Sequence, residues 1–419
     1  MNECKIVLTC TQEDGCLLYP VHKGALYSLI NDNIDYIIKL FESNNCKVIY
    51  RVFKGPRLRG ILLHLTSACN LRCIHCYIQN RHVTSLPLRT VSKLVKDAAD
   101  MGVYKISLTG GEPFLYPYLL DVIKLIHDYH IYLYPIFTNA TLIPYNTKII
   151  DIITSYYKTD FYVSLHGIGS IHDRFVGVGG TFEKVVEALK ILNEYDIGIV
   201  INTSLTRINY NNIINLYELL KKFNIKRWRI SVPFYEGKWK ARSHLYAVSI
   251  DEEIYVYKEL LKRYINEKPF DIELGYIIRY YVNSSHHKVK RNYGLNDYVC
   301  GYYRQYVVIL PSGDVTFCPR LLRKEFIVGN ILQKTLKELW TSSKMRFFKD
   351  LRIKDFLKIS KENVDETFLL HYGVGCPANS YLINNNFFSI DKIAFSIFRK
   401  IQSDEDMLHL LSSLGGDCF

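Results

Sequence analysis

Three cysteines stand close together in Ser67-Ala68-Cys69-Asn70-Leu71-Arg72-Cys73-Ile74-His75-Cys76-Tyr77, spaced C-x3-C-x2-C. Thiolates are soft ligands, and three on one short loop can hold three irons of a cubane 4Fe–4S cluster. A fourth Cys would close such a cluster. Three leave one iron with an open position, which catalytic metal chemistry needs. The competing reading is a structural zinc ion, which would want a fourth ligand. His75 is adjacent, but it is badly placed to reach the same ion as both flanking Cys. A second set lies far downstream. Cys300 and Cys318 are separated as C-x12-G-x4-C around Pro311-Ser312-Gly313-Asp314, a tight turn that folds a hairpin back and brings the two together. Cys376 follows in Gly373-Val374-Gly375-Cys376-Pro377-Ala378. Cys4, Cys10, Cys16 and Cys46 show no metal spacing and read as ordinary thiols.

The elements that must position these residues alternate regularly. β-rich runs at 61–66, 104–109, 131–137, 160–166, 197–205 and 227–232 are each followed by a helical pattern. In one such helix Val91, Leu94, Val95 and Ala98 recur at i, i+3, i+4, i+7, and Gly102 stands as its stop. Six strand–helix units in a row predict parallel strands with right-handed crossovers. Apolar runs such as Ile199-Val200-Ile201 suit a sheet buried on both faces. The class is α/β. Six units are fewer than the eight of a closed barrel, so a partial (β/α)6 TIM-like barrel and a doubly wound sheet both fit the pattern, and in either the chemistry belongs at strand C-termini. The cysteine loop follows the first strand. The second ends in Gly110-Gly111-Glu112, where paired glycines permit close backbone approach to a ligand and a Glu can accept from an ammonium; a plain βα turn reads the same way.

Residues 1–57 lack this rhythm. They read as a small α+β segment: a hairpin of Lys5–Leu8 and Leu17–Tyr19 around Glu13-Asp14-Gly15, then a helix near Ile34–Phe41. The barrel spans 58–265. A polar stretch within 266–298 reads as linker, a third region covers 299–385, and a helical tail occupies 386–419.

The chain has 419 residues, 48% hydrophobic and 22% charged, as expected of a folded protein of more than one domain. Its net charge of +12 suits an anionic partner such as an acidic peptide, or is simply a Lys-rich surface. Basic runs such as Lys226-Arg227-Trp228-Arg229 lack the length and aromatic interleaving of a nucleic-acid module. No apolar run approaches the roughly 18 residues of a membrane helix, and the N-terminus opens no signal peptide. The expectation is a cytoplasmic protein with no nucleic-acid or membrane partner, whose eleven Cys sit in a reducing compartment where spaced Cys mean metal or catalysis more often than disulfides.

The cysteine loop resembles the cluster-binding motif of the radical S-adenosylmethionine (radical SAM) superfamily, with His75 where an aromatic residue usually precedes the third Cys. The resemblance implies that S-adenosylmethionine chelates the open iron and is split reductively to a 5′-deoxyadenosyl radical, with electrons from an external donor such as flavodoxin or ferredoxin. It implies cofactor contacts around His75 and Tyr77. Gly110-Gly111-Glu112-Pro113 is similar to the family's GGEP motif, which implies a contact to the methionine amino group. Thr138-Asn139-Ala140-Thr141 is similar to its TNGT turn, with Ala140 for Gly; an Asn in a plain βα turn is the alternative. Val163-Ser164-Leu165-His166-Gly167 resembles a VSLDG strand whose Ser approaches the cofactor, with His166 for Asp. Near Ile171-His172-Asp173-Arg174-Phe175 the family offers an Arg to the carboxylate; Arg174 is a substitute out of register, while His172 and Asp173 read more readily as a local cap. Asn202, in Asn202-Thr203-Ser204-Leu205-Thr206, resembles a further cofactor-contacting strand.

Cys300 to Cys376 resembles the SPASM/Twitch extension, which carries auxiliary 4Fe–4S clusters. Only the last Cys of the usual C-x2-C-x5-C-x3-C block is present, so the resemblance implies one auxiliary cluster on Cys300, Cys318 and Cys376. Its fourth position is an open iron, Cys418 or a non-Cys residue; a decayed site without a cluster is the alternative. Enzymes with this pairing mostly modify ribosomally made precursor peptides, forming thioether or carbon–carbon cross-links, epimerising residues or oxidising Ser or Cys. A small-molecule enzyme such as a haem-pathway decarboxylase is the runner-up, and a non-catalytic iron–sulfur or zinc regulator is the reading from another class.

Overall fold

A computed structural model describes residues 5–11, 15–20, 27–29, 39, 47–53, 58–78, 83–275, 278–280 and 292–414. The N-terminal strands β1 (Lys5–Thr11), β2 (Gly15–Pro20), β3 (Tyr27–Leu29) and β4 (Lys47–Phe53) form a sheet ordered β3-β2-β1-β4. β1 and β2 pair antiparallel with Thr11 opposite Gly15, the expected hairpin, and β4 adds parallel to β1. The expected helix near 34–41 lies outside the described residues except for Lys39, which is helical.

The larger sheet follows the alternation. β5 (Gly60–His64), β6 (Lys105–Thr109), β7 (Tyr132–Thr138), β8 (Asp160–Ser164), β9 (Gly198–Ser204) and β10 (Arg227–Ser231) lie side by side in chain order, all parallel. Each returning helix turns an apolar face inward. The helix Leu88–Asp100 buries Val91, Leu94, Val95, Ala98 and Ala99. The helix Ile250–Glu267 starts in a Ser249/Glu252 capping box and buries Ile254, Val256, Tyr257, Leu260, Leu261 and Tyr264.

One element differs from expectation. β11 (Asp271–Leu274) lies in the stretch read as linker and joins β10 as a seventh parallel strand, with β12 (Ile278–Tyr280) antiparallel beyond it. Its outer face is apolar, with Ile272 and Leu274 buried, but its other face is Asp271 and Glu273, held by Arg227 and Arg229. Its alternation of charged and apolar residues is the pattern of a half-buried strand, but at four residues it is the shortest that carries the signal. Residues 276–277 and 281–291 of the same stretch lie outside the described residues.

At the other edge, β13 (Tyr306–Ile309) pairs parallel with β5, and β14 (Asp314–Thr316) and β15 (Ile327–Asn330) continue antiparallel. The third region is thereby hydrogen-bonded onto the barrel sheet, and one hydrophobic core runs from Leu58 to Leu414. The tail is helical, at Lys392–Gln402 and Glu405–Ser413. Among the described residues no helix is long and apolar enough to cross a membrane.

Candidate active site

The loop bearing Cys69, Cys73 and Cys76 leaves β5 and is clamped from three sides. From β6, Gly111 donates its N–H to the Thr66 carbonyl at 2.7 Å and Glu112 to that of Ala68 at 2.7 Å. From the helix Ser170–Val176, the Val176 and Phe175 carbonyls accept from Arg72 and Ile74 at 2.8 and 3.1 Å. From the helix Gly237–Tyr246, Lys238 donates to the Cys76 carbonyl at 3.0 Å. Two glycines make these approaches possible. A Cβ on Gly111 would stand 2.0 Å from the Ala68 carbonyl oxygen, and one on Gly237 (φ +58°) would stand 2.6 Å from that of Cys76. The Gly110-Gly111 pair thus seats the cysteine loop.

Around this loop the predicted residues sort plainly. Glu112 is buried, and its carboxylate accepts from Thr138 Oγ1 at 2.7 Å, from the Asn139 N–H at 2.8 Å and from the Phe114 N–H at 3.2 Å. It ties the end of β6 to the end of β7. Burial pushes its pKa up to about 7, against those hydrogen bonds. Asn139 reaches the loop itself, donating to Asn70 Oδ1 at 2.9 Å with Cys69 Sγ 3.9 Å away, and it accepts from Thr141. Ser164 and Asn202 are register partners on β8 and β9. Arg229 donates to Asn202 at 3.5 Å, stands over the Tyr162 ring and pairs with Glu273 at 3.0 Å. The Tyr77 ring lies 6.2 Å from that of Phe234.

His75 meets His166 edge-on at 4.9 Å and Phe175 at 5.0 Å. Burial lowers its pKa to about 4, so the ring is neutral near pH 7. His166 is also buried and neutral; its ring Nδ1 accepts from the Ser204 N–H at 3.1 Å, and its backbone N–H donates to His172 Nδ1 at 3.1 Å. Asp173 accepts from the N–H groups of Gly180, Thr181 and Phe182 and from Thr181 Oγ1, so it caps the helix Thr181–Glu194 as expected. Partial burial works against its ionisation, but these bonds hold its pKa below the usual range. Arg174 is exposed on the helix that buries His172, Phe175 and Val176.

The second set comes from three elements. Cys300 precedes the short helix Gly301–Gln305, Cys318 follows β14, and Cys376 is the N-cap of the helix Pro377–Asn384. Asp391, buried, accepts from the Cys376 N–H at 3.2 Å, from Asn379 Nδ2 at 3.1 Å and from the Ala394 N–H at 3.1 Å. Arg320 Nη1 lies 3.6 Å from Cys376 Sγ and 2.7 Å from Asn379 Oδ1, with its guanidinium 4.2 Å over the Phe234 ring. Arg323 forks onto buried Glu236 at 2.8 and 3.1 Å, tying the third region to the segment after β10. Sequence spacing does not find Arg320, Asn379, Asp391 or Phe234; their only local signals are a Cys-Pro-Arg run and an Asp at a helix start. Cys418 lies outside the described residues.

The thiols fit an electropositive group. Burial pushes Cys73 up to about 12, and the neighbouring Cys69 and Cys76 add to the cost of ionising it. Cys318 is pushed up to about 12 and Cys300 to about 11, again by burial first and by neighbouring Cys. Each triplet therefore consists of thiols near enough to oppose one another's charge, which bound iron would relieve. Among the described residues no three His, Cys, Asp or Glu side chains converge on a single ion.

Comparison with known proteins agrees. Residues 63–220 match the model of the radical SAM superfamily and 300–363 that of the SPASM iron–sulfur cluster-binding domain. The chain is 22% identical to an AdoMet-dependent heme synthase of Methanosarcina barkeri, across 82% of this chain and 97% of the relative. It is 27% identical to the antilisterial bacteriocin subtilosin biosynthesis protein AlbA of Bacillus subtilis, across 66% of this chain and only 58% of the relative. It is 26% identical to a cysteine-type anaerobic sulfatase-maturating enzyme of Clostridium novyi, across 71% and 83%. In fold it is similar to Streptococcus suis SuiB bound to S-adenosylmethionine (TM-score 0.63, 15% identity, 93% of this chain and 98% of that one). It is likewise similar to anSMEcpe bound to AdoMet and a peptide (TM-score 0.62, 18% identity, 84% and 98%). The radical SAM domain implies a 4Fe–4S cluster and S-adenosylmethionine, the SPASM domain implies auxiliary iron–sulfur binding, and the chain is an enzyme of the radical SAM superfamily with a C-terminal SPASM domain.

Proposed function

We propose that the chain modifies a ribosomally made peptide. Cys69, Cys73 and Cys76 hold the 4Fe–4S cluster that binds S-adenosylmethionine, and Cys300, Cys318 and Cys376 hold one auxiliary 4Fe–4S cluster. When bound, the first cluster and S-adenosylmethionine supply a 5′-deoxyadenosyl radical that abstracts a hydrogen atom from the substrate. The chain's residues position that event. Gly111, Glu112, Phe175 and Lys238 fix the cysteine loop, Asn139 orients it from just after β7, and Ser164 and Asn202, paired in register on β8 and β9, are the further residues offered to the cofactor. Neutral His75 packs its ring against buried His166 and Phe175 and so anchors the loop at its third Cys. An external low-potential donor supplies the electron.

The observation that carries this reading is the aromatic bridge between the two triplets. The Tyr77 ring, one residue after Cys76, meets Phe234, and Phe234 carries the guanidinium that reaches Cys376. A substrate radical formed at the barrel mouth therefore has an auxiliary site beside it. The subtilosin and sulfatase-maturating relatives, and the peptide-bound anSMEcpe and SuiB structures, support a peptide. A second reading is decarboxylation of a propionate-bearing iron porphyrin, favoured by the extent of the alignment with the heme synthase. Anaerobic assays with reductant and S-adenosylmethionine decide between them. The account expects 5′-deoxyadenosine formation coupled to a mass change in a short peptide encoded beside this gene, and none with iron coproporphyrin III. Loss of CO2 from the porphyrin alone reverses the assignment.

A further inference from the structure

Arg320 is the cation of the auxiliary site. Its guanidinium is placed by three groups at once: Nη1 donates to Asn379 Oδ1 at 2.7 Å and approaches Cys376 Sγ at 3.6 Å, and Cζ lies 4.2 Å from the centre of the Phe234 ring. Asn379 is itself fixed by buried Asp391, which also takes the Cys376 N–H. A fixed positive charge thus stands against one thiol of the second triplet.

Resting on the auxiliary-cluster reading above, we propose that Arg320 is a positioning residue that sets the reduction potential of the auxiliary cluster. Each electron added to a thiolate-ligated cluster increases its negative charge, and net charge and hydrogen bonds to sulfur are among the levers that tune such potentials. A guanidinium held against Cys376 favours the reduced state and raises the potential. The hydrogen bond to Asn379 and the contact with the Phe234 ring keep it there, and a flexible ammonium reproduces its charge without that geometry. The effect suits an electron acceptor: a cluster of raised potential takes an electron from a substrate radical more readily. Because Phe234 lies between Tyr77 and Arg320, the same cation also marks the side of the auxiliary site that faces the first cysteine loop.

The test uses the reconstituted full-length chain, with Arg320→Gln and Arg320→Lys. Iron is counted first. The auxiliary cluster is then titrated potentiometrically by electron paramagnetic resonance with S-adenosylmethionine present, which alters the signal of the cluster it binds and leaves the other identifiable. The inference expects about eight irons in the wild type, a clear shift to lower potential in Arg320→Gln, and a smaller shift in Arg320→Lys. Loss of only the auxiliary iron in Arg320→Gln, with retention in Arg320→Lys, supports the same electrostatic role. Wild type and Arg320→Gln titrating at one potential overturn the inference while leaving the auxiliary cluster in place. A wild type holding only about four irons overturns the auxiliary-cluster reading and this inference together.

Discussion

The first cysteine triplet occupies eight consecutive residues, 69–76, and the second is gathered from three elements spread over residues 300–376. The first is held mainly by backbone. N–H groups and carbonyls of Gly111, Glu112, Phe175, Val176 and Lys238 grip the loop, and glycine is required where they approach. The second is held by side chains: Asp391, Asn379 and Arg320 form a network that ends on the backbone and sulfur of Cys376. The contrast teaches where information resides. A short loop encodes its own ligand spacing, whereas a dispersed site depends on the strand pairing β13 with β5 and on polar partners that no spacing announces.

Substitutions separate the two. The largest effect is expected from Gly111→Ala, whose Cβ would meet the Ala68 oxygen at 2.0 Å. Displacing the loop should cost about 3 kcal/mol in thermal unfolding, and should remove the iron of the first triplet while sparing the second. Equal loss from both triplets breaks the distinction.

Next is a pH effect at Glu112. Burial raises its pKa from the ordinary 4.5 to about 7, so between those values the folded protein holds the proton more tightly than the unfolded chain. In the metal-free protein, the contribution of Glu112 to stability should fall as pH rises through this window, by on the order of 3 kcal/mol, and level off above it. Glu112→Gln should flatten that slope. Glu253, also raised to about 7 by burial, adds a slope of the same sign, and buried His75 and His166, held neutral, add one of the opposite sign, so the comparison is read as the difference between the two proteins. Identical pH profiles for wild type and Glu112→Gln contradict the burial of this carboxylate.

Asp391→Ala strips the acceptor from the Cys376 N–H, Asn379 Nδ2 and the Ala394 N–H, and should cost about 2 kcal/mol. Its iron loss should be confined to the second triplet, the mirror image of Gly111→Ala. The smallest effect is expected from Ala140→Gly. Ala140 sits at φ +62°, a left-handed conformation costing a residue with a Cβ about 1 kcal/mol. The change should stabilise by less than that in a denaturant titration, because glycine also loosens the unfolded chain.

Much of the barrel was legible from the sequence because its strands and helices keep their periods: Val91, Leu94, Val95 and Ala98 are buried as the spacing requires. The ends of the second and third strands were legible too, and Glu112 and Asn139 fall beside the cysteine loop. Their contacts were not. Glu112 turns its carboxylate to Thr138 and Asn139, partners on another strand whose approach depends on sheet register. β11 was missed because Asp271 and Glu273 find their counter-charges on β10, a pairing visible only once the strands are adjacent. Arg320 and Asp391 were illegible for the same reason: Asp391 looks like an ordinary N-cap, which it is, and its second role depends on the return of residues 374–379 beside it.

The central claim is that the two triplets hold two separate clusters, of which the first cleaves S-adenosylmethionine. The direct test is anaerobic reconstitution, with iron counted and dithionite-driven 5′-deoxyadenosine measured in three full-length proteins: wild type, Cys69→Ala/Cys73→Ala/Cys76→Ala and Cys300→Ala/Cys318→Ala/Cys376→Ala. The account predicts about eight irons falling to about four in each triple variant, with cleavage abolished in the first and at least partly retained in the second. Four irons in both the wild type and the second variant, or no 5′-deoxyadenosine from the wild type, would contradict it.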